Sequence, residues 1–246
     1  MNSTLIAVLV FIFVFGGALA GVAVLVPVHH QDAETKDVVK LVMGLIATIS
    51  ALVLSLLIAS AHSSYDIQES EVQQLGAQLV LLDGVFAHYG PETNDARAQL
   101  RRMVKAEVAR LWPDTVAQAA NHTPQNYVPT EDLFDTVARL TPKSDAQRSA
   151  QARALQLMTT MGTTIRLLHQ QAGGSLSWPF FVVLVFWLVV LFAGFGLHAR
   201  PNATVIAALF VGALTVAGAI FLILEMNRPY SGLMEISSAP IRDALP

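Results

Sequence analysis

The chain contains no cysteine, which excludes disulfides, thiolate metal sites and a cysteine nucleophile. Charge is scarce as well. Asp, Glu, Lys and Arg make up 13% of its 246 residues, where a soluble domain carries about a quarter. The formal net charge of −3 gives no global basic character of the kind that nucleic-acid binding needs. Enzyme signatures are missing too: there is no His-Glu-x-x-His, no Gly-x-Ser-x-Gly, no phosphate-binding glycine-rich loop and no Gly-x-Gly-x-x-Gly after a strand. These absences argue against an enzyme, and no pattern calls for a cofactor.

What the sequence has instead is length without charge. Four apolar runs, at 5–28, 38–62, 178–198 and 203–224, contain almost no ionisable residue. About 20 helical residues cross a hydrocarbon core of roughly 30 Å, so each run is long enough. In lipid every backbone amide must be paired within the segment, so each run must be a helix. The expectation is an all-α polytopic membrane protein, two spans on each side of a polar stretch at 64–176, with a tail at 227–246. Ala18-Leu19-Ala20 resembles a signal-peptide cleavage site, but no Lys or Arg precedes the first run, so it is read as an uncleaved span. No Asp, Glu, Lys, Arg or His lies near the middle of a run, which argues against a coupled pump and is neutral toward a passive channel or a scaffold.

Positive charge sets the expected orientation. The central stretch and tail hold Arg97, Arg101, Arg102, Lys105, Arg110, Arg139, Lys143, Arg148, Arg153, Arg166, Arg228 and Arg242, against only Lys36, Lys40 and Arg200 in the connections on the other side. The excess places the central stretch and both termini in the cytoplasm. The connections at 29–37 and 200–202 are short, so the spans read as two antiparallel hairpins.

The central stretch reads as helical throughout. Val72, Leu75, Leu79, Leu82, Phe86 and Tyr89 recur at helix-packing intervals until Gly90-Pro91 breaks the pattern. A helix over about 93–112 places Leu100, Met103, Val104, Val108 and Leu111 on one face. Arg101, Arg102 and Lys105 fall on another, expected to be solvated and paired with acids such as Asp95 and Glu107, or to meet anionic headgroups or a regulator. A polar loop runs to Pro129, then a short helix carries Leu133, Phe134 and Val137 inward. Ser144-Asp145-Ala146-Gln147 is a capping box that opens a long helix with Ala154, Leu157, Met161, Ile165 and Leu168 in register, ended by Gly173-Gly174. The long helices are expected to extend spans two and three into the cytoplasm.

One constellation carries a functional reading. Lys40, Gly44, Thr48, Ala51, Ser55, Ala59 and His62 share a face of the second span. Small residues let helices approach closely, so the row is either helix packing or a pore lining, in which hydroxyls replace ion hydration. Lys40 and His62 at its ends would favour anions. Ala208, Gly212, Thr215 and Ala219 make a comparable row in the fourth span, read as packing. His29, His30, Asp32 and Glu34 offer only a weak metal pattern and read as a solvated hairpin. His88, His122 and His169 read as scattered surface or core residues. The aromatic third span, with Trp178, Phe180, Phe181, Phe186 and Trp187, reads as lipid-facing.

The tail follows Glu225 with Arg228-Pro229-Tyr230-Ser231-Gly232 and then Ile236-Ser237-Ser238-Ala239-Pro240. Pro229 ends the fourth helix, Glu225 and Arg228 are spaced to pair, and Tyr230 suits an interfacial anchor. The apolar positions beyond suggest a segment folded back on the helical stretch. This block, with Leu82-Asp83, Tyr89-Gly90-Pro91-Glu92 and Ala96-Arg97, resembles the bacterial "bestrophin-like" membrane family over essentially the whole chain. The label points to bestrophins, pentameric chloride channels whose second span lines the pore. The resemblance therefore implies a homo-oligomer in the bacterial inner membrane, with five subunits, surrounding lipid and inorganic ions as partners and the row from Lys40 to His62 along the axis. A non-conducting scaffold or signalling protein is the alternative. The second span has no aromatic neck, and the chain has no cluster of acids like the bestrophin calcium clasp.

Overall fold

The computed structural model describes residues 2–23, 33–112, 130–171, 178–199 and 202–244. Among them every regular element is helical: α1 (Ser3–Ala23), α2 (Ala33–Tyr89), a 3-10 turn at Pro91–Thr93, α3 (Asn94–Leu111), α4 (Thr130–Ala138), α5 (Asp145–Gln171), α6 (Trp178–His198), α7 (Ala203–Met226) and α8 (Ala239–Arg242). Four of them, α1, α2, α6 and α7, are long and apolar enough to cross a membrane. The readings of His29, His30, Asp32, the loop at 113–129 with His122, Gly173-Gly174 and Arg200-Pro201 fall outside the described residues, as does the side chain of Glu34.

The most extended element is α2. No Gly or Pro lies between Gly44 and Gly76, so nothing in the sequence breaks the helix where the apolar run ends. It runs for 57 residues without interruption, beginning inside the connection read as a hairpin. At 1.5 Å per residue this is about 85 Å of continuous helix. The chain divides into two compact units, and α2 contributes to both: an apolar unit (Met1–Ser64, Ser175–Asn227) and a polar unit (Tyr65–Gly174, Arg228–Pro246).

The apolar unit is built on α1, which packs along both α6 and α7. Its core joins Val10, Val14 and Ala18 of α1 to Leu184, Leu188 and Phe192 of α6 and to Leu209, Ala213 and Ile220 of α7. The closest approach is a reciprocal glycine notch. A Cβ on Gly21 would lie 2.2 Å from the Ala193 carbonyl oxygen, and one on Gly196 would lie 2.1 Å from that of Ala18. With no side chain there, the two backbones meet directly, and dispersion replaces the hydrophobic driving force that lipid cannot supply. Two sequence expectations are corrected here. The third span is not simply lipid-facing: Phe180 and Phe186 are exposed, but Phe181 is buried against the core. In α7 the packed face is Leu209, Ala213, Ala217, Ile220 and Leu224, while Ala208 and Thr215 of the small row are exposed.

The polar unit buries the whole expected seam of α2, from Val72 to Tyr89, against Leu100, Met103, Val104 and Leu111 of α3 and Ala154, Met158, Met161 and Leu168 of α5. Leu157 and Ile165 are only partly buried. In α4, Leu133 and Val137 point inward, whereas Phe134, about a third of a turn away, is exposed. The capping box forms, with Gln147 N–H donating to Ser144 Oγ (3.2 Å), but the return bond is to Lys143: its N–H donates to Gln147 Oε1 (2.7 Å).

The α2–α3 corner explains a run of otherwise unrelated residues. Gly90 has φ +124°, which only glycine adopts without strain. Thr93 Oγ1 donates to the Phe86 carbonyl oxygen (2.7 Å), and Gln147 Nε2 to that of Tyr89 (3.0 Å). Across the corner the Arg97 guanidinium grips both oxygens of Asp83, at 2.7 and 2.6 Å. That bidentate bond holds the Asp83 carboxyl below the usual carboxylate range.

The tail completes this unit. Trp112, fully buried, donates from Nε1 to the Ile236 carbonyl oxygen (2.7 Å) and packs edge-on against Tyr230 with ring centroids 5.0 Å apart. Tyr230 is thus a core residue of the polar unit rather than an interfacial anchor, and burial, with the Glu71 charge adding, pushes its phenol well above the usual range. The Pro240 carbonyl lies so close to α2 that a Cβ on Gly76 would sit 2.4 Å from its oxygen.

Candidate functional site

The row on α2 is placed by what the rest of that helix does. Among the residues of α2 in the apolar unit whose burial is described, only Ser50 and Ala61 are buried, with Val53, Leu54 and Leu57 partly buried between them. Met43 is on the same side, its side chain 2.9 Å from where a Cβ of Gly194 would be. These positions form one attachment face. Successive residues turn by roughly 100°, so Leu41, Leu45, Leu52 and Leu56 fall on the far side, all strongly exposed. The small-residue row falls between the two faces.

Lys40, Gly44, Thr48, Ala51, Ser55, Ala59 and His62 are all exposed. None of the described residues of this chain therefore covers the row. The apolar stretch of α2 is only 6% buried, against 28–33% for the other three spans. Gly44 has nothing within 4 Å of its missing Cβ, and the Thr48 hydroxyl donates to the Gly44 carbonyl oxygen of its own helix (2.9 Å). Lys40 approaches Asp37 at 3.8 Å, with both side chains well exposed. Such a pair contributes little and leaves the lysine's charge available in water. Chemically the row offers width, hydroxyl oxygens and a positive charge at one end.

Elsewhere the expectations divide. Glu107 does not neutralise the basic face of α3. It is buried and meets His169 Nε2 of α5 at 2.5 Å, so His169 is a partner of that carboxylate rather than a scattered residue. Arg101, Arg102 and Lys105 stay exposed. Among the described residues no group of three or more His, Cys, Asp or Glu could hold a metal ion.

A protein-family model described as the bestrophin-like domain matches residues 10–241. The chain belongs to the bestrophin-like family. No curated protein and no solved structure matches it. In bestrophin-like terms, the residues that carried the resemblance divide by role. Asp83, Gly90 and Arg97 make the α2–α3 corner, and Pro229 and Tyr230 seat the tail, with the Pro229 carbonyl accepting from Ile236 N–H (2.7 Å). Glu225 is buried in the last turn of α7, and Ser231 N–H closes a turn onto the Arg228 carbonyl (3.2 Å) ahead of Gly232 at φ +105°. Apart from Glu225, which ends α7 in the apolar unit, the motif of this bestrophin-like chain thus builds the polar unit. The exposed α2 row lies outside it, and sequence reasoning found it by spacing alone.

Proposed function

We propose that this bestrophin-like protein is a homo-oligomeric passive ion channel, with a pore on the symmetry axis lined by α2. The observation that carries the reading is the burial contrast: among the described residues α2 is the one span left almost uncovered, and its exposed face includes a row of small and hydroxyl residues. A ring of copies in cyclic symmetry would turn that row toward an axis and cover the leucine face with lipid or neighbouring helices. Five subunits is the number the family label suggests. Thr48, Ala51, Ser55 and Ala59 would line the path, with Lys40 and His62 at its mouths favouring anions. The four spans would sit as two hairpins in a bacterial inner membrane, with the polar unit and both termini in the cytoplasm.

The test is ion flux in liposomes reconstituted with the purified protein. Anion-selective flux is expected, and Ser55→Trp should abolish it while leaving the oligomer's mass unchanged. Flux that is absent across salt and pH, from an oligomer of intact mass, would favour the non-conducting scaffold instead.

A further inference from the structure

The polar unit has two ends, and the chain enters and leaves it at one of them. α2 enters at Tyr65, α5 runs out at Gln171, and the segment that follows α7 comes in at Arg228. Glu71, about 9 Å along α2 from Tyr65, ties these points together. Gln171 Nε2 donates to Glu71 Oε1 (3.4 Å), and Tyr230 lies within reach of the Glu71 charge. The other end is the Gly90 corner, about 27 Å farther along α2, where Gln147 bonds the Tyr89 carbonyl.

At the entry end the tail forms a closed loop. Ile236 N–H donates to the Pro229 carbonyl oxygen (2.7 Å), Ser231 N–H closes a turn onto the Arg228 carbonyl, and Gly232 turns the chain at φ +105°. The tip of this loop is Leu233-Met234. Turns in water favour Gly, Pro, Asn, Asp and Ser. Here Leu233 is 83% exposed, the highest value of any large apolar side chain among the described residues, and Met234 beside it is exposed as well. Arg228 and Glu235 bracket the tip, with no charged residue between them. Ile67 and Leu167, also exposed, lie at the same end of the unit.

We propose that Leu233 and Met234 dip into the headgroup layer of the bilayer that the spans cross, so that this loop is a lipid contact of the polar unit. The occupant follows from chain length. α7 has 24 residues, about 36 Å of helix. That exceeds a hydrocarbon core of roughly 30 Å, so its last turn, at Met226, reaches the headgroups. Pro229 comes three residues later, at most about 10 Å away. The headgroup layer is itself about 5–8 Å deep on each side, so the loop begins in it or just above it. An apolar tip held there by main-chain bonds leaves water for the acyl boundary, while the charges that bracket it stay among the headgroups. The inference rests on the membrane reading of the four spans and adds a lipid contact outside them.

The absence of native cysteine makes the contact directly measurable, since a single introduced thiol can carry a nitroxide label. Leu233→Cys and Met234→Cys are made separately in the full chain and reconstituted in phosphatidylcholine–phosphatidylglycerol liposomes. Power-saturation spin resonance then compares collisions with oxygen, which concentrates in lipid, and with a water-soluble nickel chelate. Phe186→Cys, exposed on α6, is the lipid reference, and Ala138→Cys, exposed on α4, is the water reference. The oxygen-to-nickel ratio at 233 and 234 should exceed that at 138 several-fold and fall below that at 186. A ratio equal to that at 138, or labels shielded from both reagents by covering protein, overturns the contact, and a lipid-like 186 then leaves the membrane reading standing. A water-like ratio at 186 overturns both.

Discussion

The two units are held together by different physics, and α2 passes through both. In the apolar unit the helices come closest where side chains are absent: the Gly21–Ala193 and Gly196–Ala18 contacts bring backbone to backbone. In the polar unit they touch through bulk, with Leu75, Leu79, Leu82, Phe86 and Trp112 filling a continuous core. Solvent explains the difference. Lipid gives no reward for burying leucine against leucine, so close van der Waals fit must hold the spans, whereas water drives every aliphatic seam it meets inward.

The comparison breaks most sharply at the tail. Trp112→Ala should cost the polar unit about 3–5 kcal/mol, since it empties a fully buried site and orphans the Ile236 carbonyl. Thermal unfolding followed by near-ultraviolet dichroism should show it, with the helical signal of the spans retained. Gly196→Leu should do the reverse. Its side chain has no room against Ala18, and overpacking of this kind costs about 1–3 kcal/mol or more. Limited proteolysis should then report loosened spans while the polar unit keeps its melting temperature.

Asp83→Asn removes one ion of a mostly shielded bidentate pair, an interaction of about 1.5–3 kcal/mol. The same pair sets a pH signature. Because the folded carboxyl titrates below the unfolded one, its contribution is complete above the ordinary Asp range and is lost as pH falls through the lowered value. Melting temperature between neutral and strongly acid pH should therefore fall more steeply for the native chain than for Asp83→Asn. The smallest effect belongs to Tyr230→Phe. The buried phenol oxygen has no hydrogen-bond partner among the described residues, so its removal should change stability by less than about 0.5 kcal/mol or raise it slightly. A loss well above that would reveal a partner for the hydroxyl.

Much of this was legible in sequence, and the residues show why. The heptad from Val72 to Tyr89, the capping box at Ser144 and the inward Leu133 and Val137 are local patterns, fixed by helical periodicity before any partner is chosen. Glu107 and Tyr230 were misread for the opposite reason. Spacing placed Glu107 in the same helix as a row of cations, but only the approach of α5 shows that it faces His169. An aromatic just past a span suits a membrane interface, and only the fold of the tail shows that Trp112 had left it a buried contact. The Gly17–Gly21 spacing in the first span was a readable signal for close helix approach. It stands in a run read by its length, its lack of charge and its likeness to a signal peptide, not by its glycine spacing.

By itself the sequence determined what depends on near neighbours: which segments are helical, which could enter a membrane, and which α2 positions share a face. It could not determine which of those faces the chain would cover. Burial is a property of distant segments brought together, and that alone separated the attached face of α2, at Ser50, Val53, Leu57 and Ala61, from the small row a third of a turn away. The row had two readings as long as its surroundings were unknown. The tertiary structure decided only that the described residues leave the row exposed, since α6 and α7 pack on α1.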